Sequence, residues 1–113
     1  MIEIIIKNYL AEKLSVRVVL EVPADPPKSF VLLEKTGSSR EEHIDRAMLA
    51  IQSYAPSMYE AARLNERVKA AMDSAAELDA VSASRLNSDY NFTDTTTKRY
   101  RYQAVYDLVY FDE

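Results

Sequence analysis

His43 is the only imidazole in the 113 residues, and it stands in a polar run with Arg40, Glu41 and Glu42. A Ser-His-Asp relay would have to use it, together with a serine raised on a turn of small residues. No serine here has such surroundings, so a solvated turn histidine is the plainer reading. The carboxylate pairs Glu41/Glu42 and Asp112/Glu113 suit acid–base work only where an apolar pocket raises one pKa, and their neighbours are polar or chain-terminal. Without cysteine, and with one histidine, a metal site would fall to carboxylates alone. The segment "DYNFTD" from Asp89 places oxygen donors in a spacing faintly like a calcium loop, but lacks that loop's central glycine and closing glutamate. Gly37 is the sole glycine, which excludes a glycine-rich phosphate cradle. No catalytic residue, cofactor or metal is expected, and an enzyme is not.

A second feature has more substance. In "NFTDTTTKRYRYQAVYDLVYF", Tyr100, Tyr102, Tyr106 and Tyr110 all fall on even positions. On a strand they share one face, opposite Arg99 and Arg101. Burying all their hydroxyls would require as many hydrogen-bond partners. Tyrosine and arginine are also enriched where proteins meet proteins. The tyrosines therefore read either as core residues with wet tips or as an interface. Stacked bases on a sheet are a poorer fit, because the arginines point to the other face and the net charge is −4.

These residues are positioned by a readable order of elements. Ile2, Ile5, Ile6, Tyr9, Leu10 and Leu14 recur at helical spacing over residues 1–14, although the isoleucines also permit a strand at the start. "VRVVLEV" alternates as a strand over 16–22 and stops at "PADPP". A second strand starts at Lys28, and "GSSREEH" reads as the turn after it, with Gly37 at a positive-φ position. Residues 45–54 are apolar on both sides, as in a central strand covered on both faces. Ser57 and Glu60 form a capping box for a helix whose stripe is Ala61, Leu64, Val68, Ala71, Met72 and Ala75. Residues 78–93 suggest two short strands, "TDTTTK" a loop or hairpin tip, and 98–111 the longest strand.

The fold expected is α+β in one domain, residues 1–113: a mainly antiparallel or mixed single sheet of four to five strands, with two main helices on one face. Such a sheet leaves its other face uncovered. No stretch is apolar enough to span a membrane, and the N-terminus does not read as a signal peptide.

The runs "EVPADPPKSFVLLEKTG", "AIQSYAPSMYEAARLNERVKAAM" and "LNSDYNFTDTTTKRYRYQAVYDLVY" resemble the small tail terminator, or tail-completion, proteins of siphophages and prophages of Gram-positive bacteria. The resemblance runs from Glu21 to Tyr110. It implies a structural virion protein at the head-proximal end of the tail, present in the host cytoplasm before assembly. The partners implied are further copies in a hexameric ring, the major tail tube protein and a head-completion protein, while DNA passes through the lumen without specific binding. No catalytic residues are carried over. Within that frame the candidate interface is Tyr100, Arg101, Tyr102, Tyr106 and Tyr110, with Arg63 and Arg67 on the second helix. Ser38, Ser39 and Arg40, and Thr95, Thr96, Thr97 and Lys98, are candidate docking loops. The alternatives are a head–tail connector or stopper, and a small α+β ligand-binding regulatory module, which would need a concave apolar pocket with converging polar groups.

Overall fold

A computed structural model describes residues 1–111. The chain runs α1 (Ile2–Lys13), β1 (Arg17–Val19), β2 (Phe30–Glu41), β3 (Ile44–Ala55), α2 (Met58–Asp73), β4 (Val81–Asn91) and β5 (Tyr100–Tyr110), with one 3₁₀ turn at Ala75–Glu77. The five strands form one mixed sheet in the order β1-β2-β3-β5-β4. Only β1 and β2 run parallel; every other neighbour is antiparallel. The expected α+β architecture is present.

Both helices lie on one face. Ile2, Ile6, Tyr9 and Leu10 of α1 and Leu64, Val68, Ala71 and Met72 of α2 pack with Val31, Leu33, Leu49, Ile51, Ala104 and Leu108 of the sheet into the main core. The α2 stripe read from the sequence is buried throughout. Alanines within it bring α1 close enough for the Tyr9 hydroxyl to donate to the Ala71 carbonyl at 2.8 Å. Ser57 caps α2, accepting from the Glu60 amide at 3.2 Å. The Glu60 carboxylate accepts from the Ser57 hydroxyl itself at 3.0 Å, rather than from the Ser57 amide of the usual reciprocal box.

Four local expectations are corrected. The strand after α1 is three residues long rather than 16–22, because residues 20–29 must carry the chain back to begin β2 beside the start of β1. Gly37 is not in a turn and has no positive φ; it follows a bulge between Lys35 and Gly37 inside β2. The turn lies five residues on, at Glu42 and His43, whose φ values of 52° and 68° give a two-residue hairpin between paired Glu41 and Ile44. The proposed pair of short strands over 78–93 is one strand, β4, interrupted by register shifts at Val81/Ala83 and Leu86/Ser88. Those bulges break the two-residue period that alternation depends on. β3 is central, and from Leu49 to Ala55 it is buried on both faces, as its sequence indicated.

Twelve-residue strands, roughly 40 Å long at about 3.3 Å per residue, set the 44 × 25 × 25 Å shape. One end holds the Glu42–His43 turn and Phe111. The other holds residues 26–28, the start of α2 and the 92–99 connection. The first end is the turn pole and the second the loop pole.

A candidate assembly surface: the helix-free face and two poles

β5 divides its side chains between two environments. Even positions face the helices. Tyr106 is fully buried, and its hydroxyl donates to Asp73 at 2.8 Å and lies 3.2 Å from the Lys69 carbonyl. Burial first, and then the Asp73 carboxylate, push its pKa well above that of a free phenol. Tyr110 is buried too, in the same cluster. Tyr106 and Tyr110 are thus core residues and leave the candidate interface: the Tyr106 hydroxyl found its partners on α2, which the sequence pattern does not reveal. Tyr100 and Tyr102, nearer the loop pole, are half-buried.

Beside Tyr106, a polar cluster ties α2 to β4. Lys69 reaches Asp89 at 2.6 Å and Glu66 at 3.0 Å, and buried Asn65 donates to Asp89 at 3.1 Å. The Asp89 carboxylate, first in the calcium-like spacing, therefore already has a cation. At the other end of that spacing the Thr97 hydroxyl and the amides of Thr96 and Thr97 hold the Asp94 carboxyl below its usual range.

Odd positions of β5 face away from the helices, and here the structure builds something that alternation alone did not reveal. Arg101 Nη1 donates to the Tyr54 hydroxyl at 2.8 Å. Tyr54 donates to Gln52 Oε1 at 3.1 Å, Gln52 Nε2 to Gln103 Oε1 at 2.8 Å, and Gln103 Nε2 to the Tyr90 hydroxyl at 2.6 Å. Each donor points the same way along β5, β3 and β4, so the chain is directed. Arg101 also donates to the Phe92 carbonyl at 2.6 Å and lies 4.4 Å from the Phe92 ring centre. At one end of the chain Phe30 stacks on Tyr54 at 4.5 Å, in a second apolar cluster with Val19 and Leu32. The sequence signal for this relay was present: Gln52 and Gln103 interrupt apolar runs at positions that share a face.

The candidate docking residues separate. Ser38, Ser39 and Arg40 lie in β2, not in a loop; because β2 continues through Gly37, they are exposed strand residues toward the turn pole. Arg40 is committed to Asp45 through both carboxylate oxygens, at 2.5 and 3.1 Å. Thr95, Thr96 and Thr97 form an exposed turn at the loop pole, closed by Lys98 with φ 56°. Thr95, Lys98 and Tyr100 share a depression there with Met58 of α2. Arg63 and Arg67 are exposed on α2; Arg63 donates to the Tyr59 hydroxyl at 3.2 Å, and Arg67 lines the cleft between α1 and α2. Exposed His43 sits on the hairpin turn. Asp112 and Glu113 lie outside the described residues.

The poles differ in charge. Lys28, Lys98 and Arg99 gather at the loop pole around a cavity of about 170 Å³ walled by Pro27, Phe30, Tyr54 and Tyr100. At the turn pole Glu41, Glu42 and Asp79 are exposed near the exposed side chains of Ile44 and Phe111. Phe111 is held there by its amide, which donates to the Ala80 carbonyl at 2.8 Å. Among the described residues no helix is long and apolar enough to cross a membrane.

A scan against protein-family models and a search of curated proteins gave no match to this chain.

Proposed function

We propose that this chain is a structural virion protein, a tail terminator. It forms a homo-oligomeric ring, a hexamer, on the head-proximal end of a siphophage tail tube. The ring halts tube growth and presents the surface that the head-completion protein joins, while DNA passes through the lumen unbound.

The sequence resemblance supplies the family expectation, and one observation supports its physical side: the two ends of the sheet are chemically unlike. Closed rings are built from heterologous contacts, in which two different patches of each copy meet head to tail. A loop pole with Lys28, Lys98 and Arg99 around aromatic rings, and a turn pole where Glu41, Glu42 and Asp79 stand with Arg46 around exposed Ile44 and Phe111, are such a pair. The sheet edges carry the opposite kind of feature. The outer half of β2 bears Glu34, Lys35, Arg40 and Glu41 around a bulge, and β4 bears Arg85 and Asp89 around two more. Charges and bulges discourage open-ended strand addition. Contact is thereby steered from the edges toward the poles and the helix-free face.

A net charge of −4 fits a lumen that DNA crosses without sticking. The role is architectural: side chains that pack and pair, with no turnover. The test is to add purified protein to tail tubes polymerising from their major protein. Growth should stop, with labelled protein at one tube end. Uninterrupted growth, or label scattered along the tubes, contradicts the proposal.

A further inference from the structure

The loop-pole cavity has a specific shape and charge. Phe30 and Tyr54, stacked at 4.5 Å, line it together with Pro27 and Tyr100. Lys28, Lys98 and Arg99 stand at its rim, and none of them takes part in an ion pair among the described residues. Asp25 and Asp94 are the nearest acids in sequence, and neither lines the cavity. Asp94 is bridged to Arg99 through the backbone, but on a chain of net charge −4 the three residues that border this apolar, aromatic recess with charge are all cations. Together they suit an occupant with an aromatic or aliphatic side chain framed by carboxylates.

The turn pole offers that chemistry. Phe111 is 57% exposed and Ile44 is 36% exposed. The register ends at the Asp45–Tyr110 pair, so Ile44 and Phe111 each stand one residue beyond it at the same end of the sheet. Glu41 pairs with Ile44 across the hairpin, Glu42 follows in the turn, and Asp79 precedes the Ala80 that anchors Phe111.

A copy cannot fill its own cavity. Tyr100, at the cavity, and Tyr110, beside the knob, are the two ends of β5. Ten strand residues put them about 34 Å apart. We infer that the Phe111–Ile44 knob of one copy seats in the Phe30–Tyr54–Tyr100 cavity of the next, with Glu41, Glu42 and Asp79 facing Lys28, Lys98 and Arg99. The contact is heterologous and leaves one free knob and one free cavity on any open chain of copies, which only ring closure satisfies. It deepens the self-assembling reading above and rests on it.

Charge reversal tests the contact with the full-length protein. Lys28→Glu with Arg99→Glu makes the cavity rim acidic, and Glu41→Lys with Glu42→Lys makes the knob basic. All four side chains are exposed, so both variants should fold as the parent does. Sedimentation velocity over a concentration series should show self-association of the parent that weakens with salt. Each variant alone should associate at least about tenfold more weakly, the scale of losing facing charges at an interface. An equimolar mixture of the two should recover association, since each reversed knob then meets a reversed rim. Phe111→Ala should weaken the parent without altering its salt response.

Parent protein that stays monomeric at millimolar concentration, or variants that associate like the parent, overturns the contact. So does a mixture that fails to recover. A short DNA duplex that binds the parent and not the rim variant would assign the cations to phosphate instead, and also overturns it. None of these outcomes bears on whether tubes are capped by the chain, so the contact and the terminator reading fail separately.

Discussion

Gln52 and Gln103 face each other across β3 and β5, the amide nitrogen of the first donating to the carbonyl oxygen of the second at 2.8 Å. Each is 8% exposed on the helix-free side of the sheet. Their direction is imposed from outside, because Gln52 Oε1 already accepts from Tyr54 and Gln103 Nε2 already donates to Tyr90. Replacing Gln103 by leucine strands the buried amide of Gln52, while the hydroxyl of exposed Tyr90 turns to solvent. Such a loss costs about 1–3 kcal/mol. Urea unfolding of Gln103→Leu and Gln52→Leu should show it, and the double variant should lose less than the sum of the two, since the second substitution removes the group the first left unpaired. Strict additivity would mean the relay is not coupled.

Tyr106 carries a second coupled prediction. Tyr106→Phe removes its hydrogen bond to Asp73, at about 1 kcal/mol. Tyr106→Ala also opens a cavity under α2 and should cost about 3–5 kcal/mol. Both are read by denaturant midpoint. An assembly defect in Tyr106→Ala without loss of stability would place this side chain at an interface after all.

The same residue gives a pH dependence of known sign. Burial raises the pKa of Tyr106 in the folded protein, and burial is likewise the main cause that raises that of Tyr9. A raised folded value means that these phenols favour folding in full below the unfolded pKa, about 10. That contribution is lost as pH climbs through the folded value. Stability should therefore fall above about pH 10, and Tyr106→Phe should flatten the fall. Ultraviolet titration should show two phenols ionising above the ordinary tyrosine range, one of them absent in Tyr106→Phe.

Gly37 tests the corrected hairpin. In a positive-φ turn, Gly37→Ala would be strained. In β2, with φ outside that region and nothing within 4 Å of a built Cβ, the same change should stabilise by about 0.4–1 kcal/mol by stiffening the unfolded chain. The true turn should respond to Glu42→Asn with His43→Gly, residues suited to the two positive φ values there. A gain of about 1 kcal/mol or more is expected. Thermal unfolding of both variants decides the location of the turn by sign alone.

Much of this fold was legible because its long elements keep one period. The α2 stripe, the Ser57 cap and the doubly covered centre of β3 follow from spacing that tertiary contacts did not override. β4 was obscured by two bulges, each shifting alternation by one residue. "GSSREEH" misled because a lone glycine among polar residues normally marks a turn, whereas here the strand runs through it and two non-glycine residues take the positive φ. The tyrosine face was correctly read as one face, but which side the helices cover is a tertiary fact. The basic cavity was out of reach, because Lys28, Tyr54 and Arg99 come together only through the return of residues 20–29 and the β3–β5 pairing.

The most direct test of the terminator proposal is the tail-length distribution, by electron microscopy, in lysates of a phage from which this gene has been deleted. Tubes that overrun the normal length and remain unattached to filled heads are expected, with normal length and joining restored by the gene supplied in trans. Finished particles with tails of ordinary length in the deletion strain would contradict it.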